Sequence, residues 1–201
     1  MGKVATWQRT RKTFRHGRLA DALVEAALAR LETDGVEALS LRELARDAGV
    51  NHRAVYRHFP DKLSLLARVA EEGWQSLARR VKQQLAGKRK GEQALIAGGI
   101  GFYLFAREHP NLFHFMAGPR VNKEGAFPGL EKAMRETLSM FWQPFVDSGT
   151  TPEIARIRTA LFMSALQGVI TQVLHGRLHV SRPKAKEFIA DTCHRLFQGL
   201  R

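Results

Sequence analysis

An all-α protein in two parts, a three-helix head carrying a helix-turn-helix and a larger helical body, is what this 201-residue sequence predicts. Three observations carry that expectation. Apolar residues recur at steps of three and four through most of the chain, which is the spacing of one helix face. Glycine and proline punctuate those runs at short intervals, leaving no long linker. The stretch Leu39 to Leu66 sets two short helices around a tight turn and follows them at once with another helix. The length suffices for a sizeable core, and the expected division is a head over residues 1–75 and a body over 76–201, about nine helices in all.

Taken in order, residues 1–18 hold Lys3, Arg9, Arg11, Lys12, Arg15 and Arg18, with no acid and no apolar residues in helical order. They read as a flexible basic arm able to neutralise phosphates or enter a minor groove. Leu23, Ala26, Ala27 and Leu31 then share one face of a scaffolding helix that Asp34-Gly35 ends. Next, Leu41, Leu44, Ala45 and Ala48 form a stripe on a short helix, and Gly49 supplies the left-handed backbone of the turn. Asn51 is placed to cap the following helix, whose Val55 and Phe59 face inward while His52, Arg53, Tyr56, Arg57 and His58 carry donors outward. That second helix, in a motif spanning about residues 40–59, is the expected reader of base edges. Pro60 stops it, Asp61 can cap a third helix, and Lys62 falls beside free backbone N–H groups suited to a phosphate.

Ala45, Gly49 and Val50, then the run Val55 to Lys62, with Leu65 and Leu66, make this stretch resemble the DNA-binding domain of TetR-family transcriptional regulators over roughly residues 17–75. The resemblance implies an all-helical homodimer whose divergent C-terminal body holds an inducer pocket and controls operator binding. It also implies a repressor acting on double-stranded DNA. Carried over position by position, the DNA-binding set becomes Arg42, Asn51, His52, Arg53, Tyr56, His58 and Lys62, with Tyr56, His58 and Lys62 at positions that hold the DNA backbone. The family more often has Ser or Thr where Asn51 stands, and small or hydroxyl residues where His52 and Arg53 stand. Those departures bear on the operator sequence rather than on the mode of binding.

From Lys62 onward Leu63, Leu66, Ala70, Trp74, Leu77, Val81 and Leu85 continue one long helix until Gly87, so a single helix is expected to join head to body and to transmit movement between them. Residues 92–108 predict a helix through Gly98, Gly99 and Gly101. With no strand before this GGIG and no Lys-Ser or Lys-Thr after it, close helix packing explains it better than a phosphate loop. Pro110 opens a short helix with Leu112, Phe113, Phe115 and Met116, and a loop runs from Gly118-Pro119 to Pro128-Gly129. Leu130, Met134, Leu138, Phe141 and Phe145 share the next helix, whose end Pro144 should kink or fray. Thr151-Pro152-Glu153 predicts a helix start with a capping hydroxyl. Beyond it Ile154, Ile157, Leu161, Ala165 and Gly168 line one side, and Phe162, Leu166, Val169 and Val173 another. A helix apolar on two faces needs two partners: the last helix, with Ala185, Phe188, Ile189, Thr192, Leu196 and Leu200 in step, and its copy in a second subunit. Gln167-Gly168 and Gly199-Leu200 resemble the His-Gly and Gly-Leu marks of such bodies, with Gln in place of His.

The composition narrows the partners. A net charge of +13, from 32 basic and 19 acidic residues, favours a polyanion over an acidic small substrate. A second basic run, Arg79, Arg80, Lys82, Lys88, Arg89 and Lys90, reads as a solvated face. No apolar segment follows the N-terminal cations and no run of 18 apolar residues exists, so a cytoplasmic protein without a membrane segment is expected. Cys193, the sole cysteine, precludes an intrachain disulfide. No nucleophile with a base and no carboxylate pair stands at a recognisable spacing, and neither His175 with His179 nor His109 with His114 brings a third ligand. An enzyme, a cofactor and a metal are therefore not expected. Most aromatics fall between Phe102 and Phe162, and Phe102, Phe105, Phe113, Met116, Phe141, Trp142, Phe162 and Gln167 are the candidate lining for a hydrophobic small-molecule effector. The competing expectation is a DNA-binding factor without a ligand, constitutive or governed by a protein partner.

Overall fold

The helices form where the periodic runs place them. In this computed structural model, which describes residues 19–87, 90–121 and 125–200, they are α1 (Leu19–Asp34), α2 (Leu41–Asp47), α3 (His52–His58), α4 (Lys62–Leu85), α5 (Gly91–Glu108), α6 (Pro110–Met116), α7 (Pro128–Asp147), α8 (Pro152–Leu174) and α9 (Ala185–Leu200). A 3-10 turn, Arg182–Lys184, leads into α9, and no strand occurs among the described residues. The expected basic arm lies outside the described residues, as do Lys88 and Arg89.

Two compact units result, the first made of residues up to Gly73 with Glu108–Glu131, the second of Trp74–Arg107 with Lys132–Arg201. The first therefore takes in α6, a segment the sequence assigns to the body. The reason lies at the start of α6, where the Glu32 carboxylate of α1 accepts the backbone N–H groups of Asn111 and Leu112 at 3.3 and 3.2 Å. A carboxylate there answers N–H groups that a helix start leaves unpaired. Asn111 Nδ2 returns a bond to the Glu32 carbonyl at 2.8 Å. Leu112 and Met116 then close over Gly73, where a Cβ would lie 2.5 Å from Met116 Sδ. Leu23, Ala27 and Leu31 of α1, Leu44 of α2, Val55 of α3 and Leu65 of α4 form the buried centre of this unit.

In the second unit the core is aromatic. Phe145 stacks on Phe197 at 5.5 Å between centroids and meets Phe162 at 6.3 Å; Phe141 lies 6.5 Å from Phe162 and 6.3 Å from Phe102. The glycines of α5 admit this packing, since a Cβ on Gly99 would stand 2.3 Å from Cys193 Sγ and one on Gly101 2.9 Å from the Val81 Cα. α7 continues through Pro144 to Asp147. Thr151 occupies the cap position of α8, but its hydroxyl makes no capping bond, so Pro152 in the first turn and Glu153 against the dipole mark the start instead. Ala155, Thr159, Phe162, Leu166 and Ile170 form the buried stripe of α8, which packs with α9. On another side Ile154, Ile157 and Leu161 are 46%, 63% and 55% exposed. By length and composition alone α8 would suit a membrane span, yet Arg156 and Arg158 lie in its first two turns.

Candidate nucleic-acid interface

The helix-turn-helix is fixed from both ends by bonds its own sequence supplies. Arg30 of α1 reaches Glu43 at 2.9 Å and Asp47 at 2.6 Å, holding α2 on the scaffold helix. At the end of α2 the Val50 N–H donates to the Ala45 carbonyl at 3.0 Å and the Gly49 N–H to Arg46 at 3.1 Å, with Gly49 at φ 65°. This closure satisfies the last carbonyls and needs a left-handed residue where Gly49 stands. Asn51 Oδ1 then accepts the Arg53 N–H at 2.9 Å, starting α3. After Pro60, Asp61 Oδ1 accepts the Ser64 N–H at 2.7 Å, while the Asp61 N–H donates to Ser64 Oγ at 3.4 Å, a reciprocal cap that fixes the first turn of α4.

Within α3 only Val55 is buried. His52, Arg53, Tyr56, Arg57 and His58 are exposed, as are Arg42 and Asn51, and Phe59 is buried just beyond the helix end. The His52 and Tyr56 rings meet edge to face at 6.4 Å. Between the starts of α2 and α3 lies an open groove of about 570 Å3, lined by Arg42, Glu43, Ala45, Arg46, Val50, Asn51 and His52. Glu43 is engaged by Arg30, so Arg42, Arg46 and His52 set the groove's polarity, which suits an anion. Arg46 is a groove residue the sequence argument passes over, although its place four residues after Arg42 puts both on one side of α2.

Lys62 is half-buried, and its Nζ donates to the Glu37 carbonyl at 3.4 Å. The Glu37 carboxylate bonds Arg120, whose guanidinium holds it below the usual carboxylate range. Neither Glu37 nor Arg120 stands out in the sequence, because they are 83 positions apart. Glu32 behaves oppositely: burial raises its carboxyl, and the amides of Leu112 and Asn111 pull it back only in part. His109 Nδ1 lies 3.7 Å from that carboxylate.

The candidate effector residues are divided between the units. Phe102, Phe105, Phe141 and Phe162 are buried in the second, where Trp142 is half-buried beneath the Arg156 guanidinium at 4.8 Å and Gln167 is half-buried on α8. Phe113 and Met116 are buried on α6, in the first. Burial pushes the Cys193 thiol up to about 12, which leaves it protonated and a poor nucleophile. Among the described residues no group of three or more His, Cys, Asp or Glu is placed to hold a metal ion.

Residues 23–69 match the family model described as bacterial regulatory proteins, tetR family. Similar solved structures span nearly the whole chain. A protein of unknown function from Rhodococcus sp. RHA1 has a TM-score of 0.78 at 24% identity, covering 94% of this chain and 98% of its own. A tetR-family transcriptional regulator from Streptomyces coelicolor has a TM-score of 0.68 at 22% identity, covering 94% and 82%. A TetR variant from Acinetobacter baumannii AYE, solved in complex with minocycline, has a TM-score of 0.64 at 20% identity, covering 88% and 93%.

Proposed function

We infer that this chain, whose head places it in the tetR family of bacterial regulatory proteins, is a cytoplasmic repressor that holds a palindromic operator as a homodimer and releases it when a small hydrophobic molecule enters the body. The observation that carries the DNA-binding reading is α3: a helix with one buried side chain, presented on a rigid turn, with donors along its outer face. Such a helix fits the major groove, and Arg53 on its first turn can fork onto guanine O6 and N7, with His52 beside it. Asn51 spends its side-chain oxygen on the cap, which leaves its amide N–H groups for DNA. Arg42, Tyr56, His58 and Lys62 supply sequence-independent contacts to the backbone.

The dimer reading rests on Ile154, Ile157 and Leu161, a stripe too apolar for water that the protomer leaves uncovered. Gly168 continues along α8 with open space around it, room for a partner helix to come close. Two α8–α9 pairs related by a two-fold axis bury that stripe. The effector reading rests on the aromatic interior. The same rings also pack on one another, which favours the alternative of a DNA-binding factor with no small ligand. Selection from random duplexes with the full chain tests the operator: recovered sites should be inverted repeats with half-sites about 34–36 Å apart, one helical turn. No enrichment would overturn the DNA reading. Loss of binding to the recovered site on adding a hydrophobic compound, with a raised melting temperature, separates the inducible regulator from the alternative.

A further inference from the structure

The loop after α6 brings a cation to the edge of the head. Arg120 bonds the Glu37 carboxylate, and Lys62 bonds the carbonyl of that same residue at 3.4 Å. Two cations from distant parts of the chain thus converge on Glu37, between α1 and the start of α2. Ser40, at the cap position of α2, keeps a hydroxyl that makes no capping bond. The ion pair lies in the open, with the Arg120 side chain 49% and the Glu37 side chain 74% exposed. A pair so exposed contributes little to stability, because water screens it and two long side chains must be held still. Folding therefore does not account for Arg120 being there. A phosphate approaching Lys62 meets the Glu37 carboxylate, which repels it, and the guanidinium on that carboxylate, which attracts it.

We propose that Arg120 is a further DNA-backbone contact, held in place by Glu37 in the free protein and transferred from that carboxylate to a phosphate when the head docks. The proposal rests on the DNA-binding reading above and extends the phosphate-facing surface beyond the helix-turn-helix to the loop after α6. A guanidinium offers a phosphate the same fork it offers a carboxylate, so the exchange keeps its donors paired throughout. Glu37 then acts as a brake on non-specific binding, since the repulsion left behind is felt on every duplex.

The test is a salt titration of the full-length protein on a duplex of random sequence, where backbone contacts act without base readout. Arg120→Ala should weaken binding at every salt concentration and lower the slope of log K against log salt by about one, while Arg120→Lys keeps most of the slope. Glu37→Gln should do the reverse and tighten binding, because it removes the repulsion and frees Arg120. Opposite signs alone follow from the change in net charge, so the slope decides: were the pair only a structural staple, Arg120→Ala would leave the slope of log K against log salt unchanged, and that result overturns the proposal. Lys62→Ala keeps the two levels apart. If it lowers the slope and Arg120→Ala does not, the inference falls and the interface stands; if neither does, the interface itself is misplaced.

Discussion

Arg53 and Lys62 are both cations on the first turn of a helix, and their surroundings give them different work. Arg53 is exposed on α3, and in the proposed complex its fork meets base edges in the groove. Arg53→Ala should cost about 1–3 kcal/mol on the best operator and much less on random DNA, by parallel anisotropy titrations. An equal loss on both would make Arg53 a phosphate contact instead. Lys62 is half-buried with its ammonium on a carbonyl, and in the proposed complex it anchors any duplex alike.

At the scale of elements, α6 is fastened to α1 by a carboxylate whose ionisation costs more in the fold than in water. Burial raises the Glu32 carboxyl above the ordinary carboxylate range, so the folded head holds that proton more firmly than the unfolded chain. Such a group stabilises the fold fully below the unfolded pKa, and its contribution is lost as pH rises through the folded one. Urea midpoints measured from about pH 4 to 7 should show this fall, and Glu32→Gln should flatten it. Both proteins should carry His109→Gln, so that the imidazole 3.7 Å away does not add its own titration. Identical slopes would mean that Glu32 stays as well hydrated as in the unfolded chain. Local elements were legible in the sequence: Gly49, Asn51 and Asp61 mark the turn and both caps because each acts within a few residues of its own position. The allegiance of α6 and the Arg120–Glu37 pair were not, since they join residues about 80 positions apart. Thr151 misled for a related reason: its type suits a cap, but residue type does not decide whether the hydroxyl turns to bond.

For the whole molecule, the exposed stripe on α8 is where the proposed dimer is tested. In that dimer the spacing of the heads follows from the α8 interface, so breaking it should remove operator binding without touching either head. Leu161→Glu places a charge where the proposed interface would bury it without a partner. The variant should be monomeric by light scattering, fail to bind the operator, and keep its helical circular dichroism. A dimer that still binds would move the interface off this face. The two apolar sides of α8 are legible in the sequence because both follow the helical period. Which side stays uncovered is not, since Phe162 and Leu161 differ in burial through the Phe141 and Phe145 rings that α7 brings to Phe162.

That α3 buries Val55 alone has a consequence for what this scaffold tolerates. The side chains at 52, 53, 56 and 57 are cargo: the bonds that shape the turn come from Arg30, Gly49 and the Asn51 cap, none of which depends on them. A library randomised at those four positions should retain the parental melting temperature in most members while scattering across new target sequences. Recognition could then be rewritten by selection without redesigning the fold.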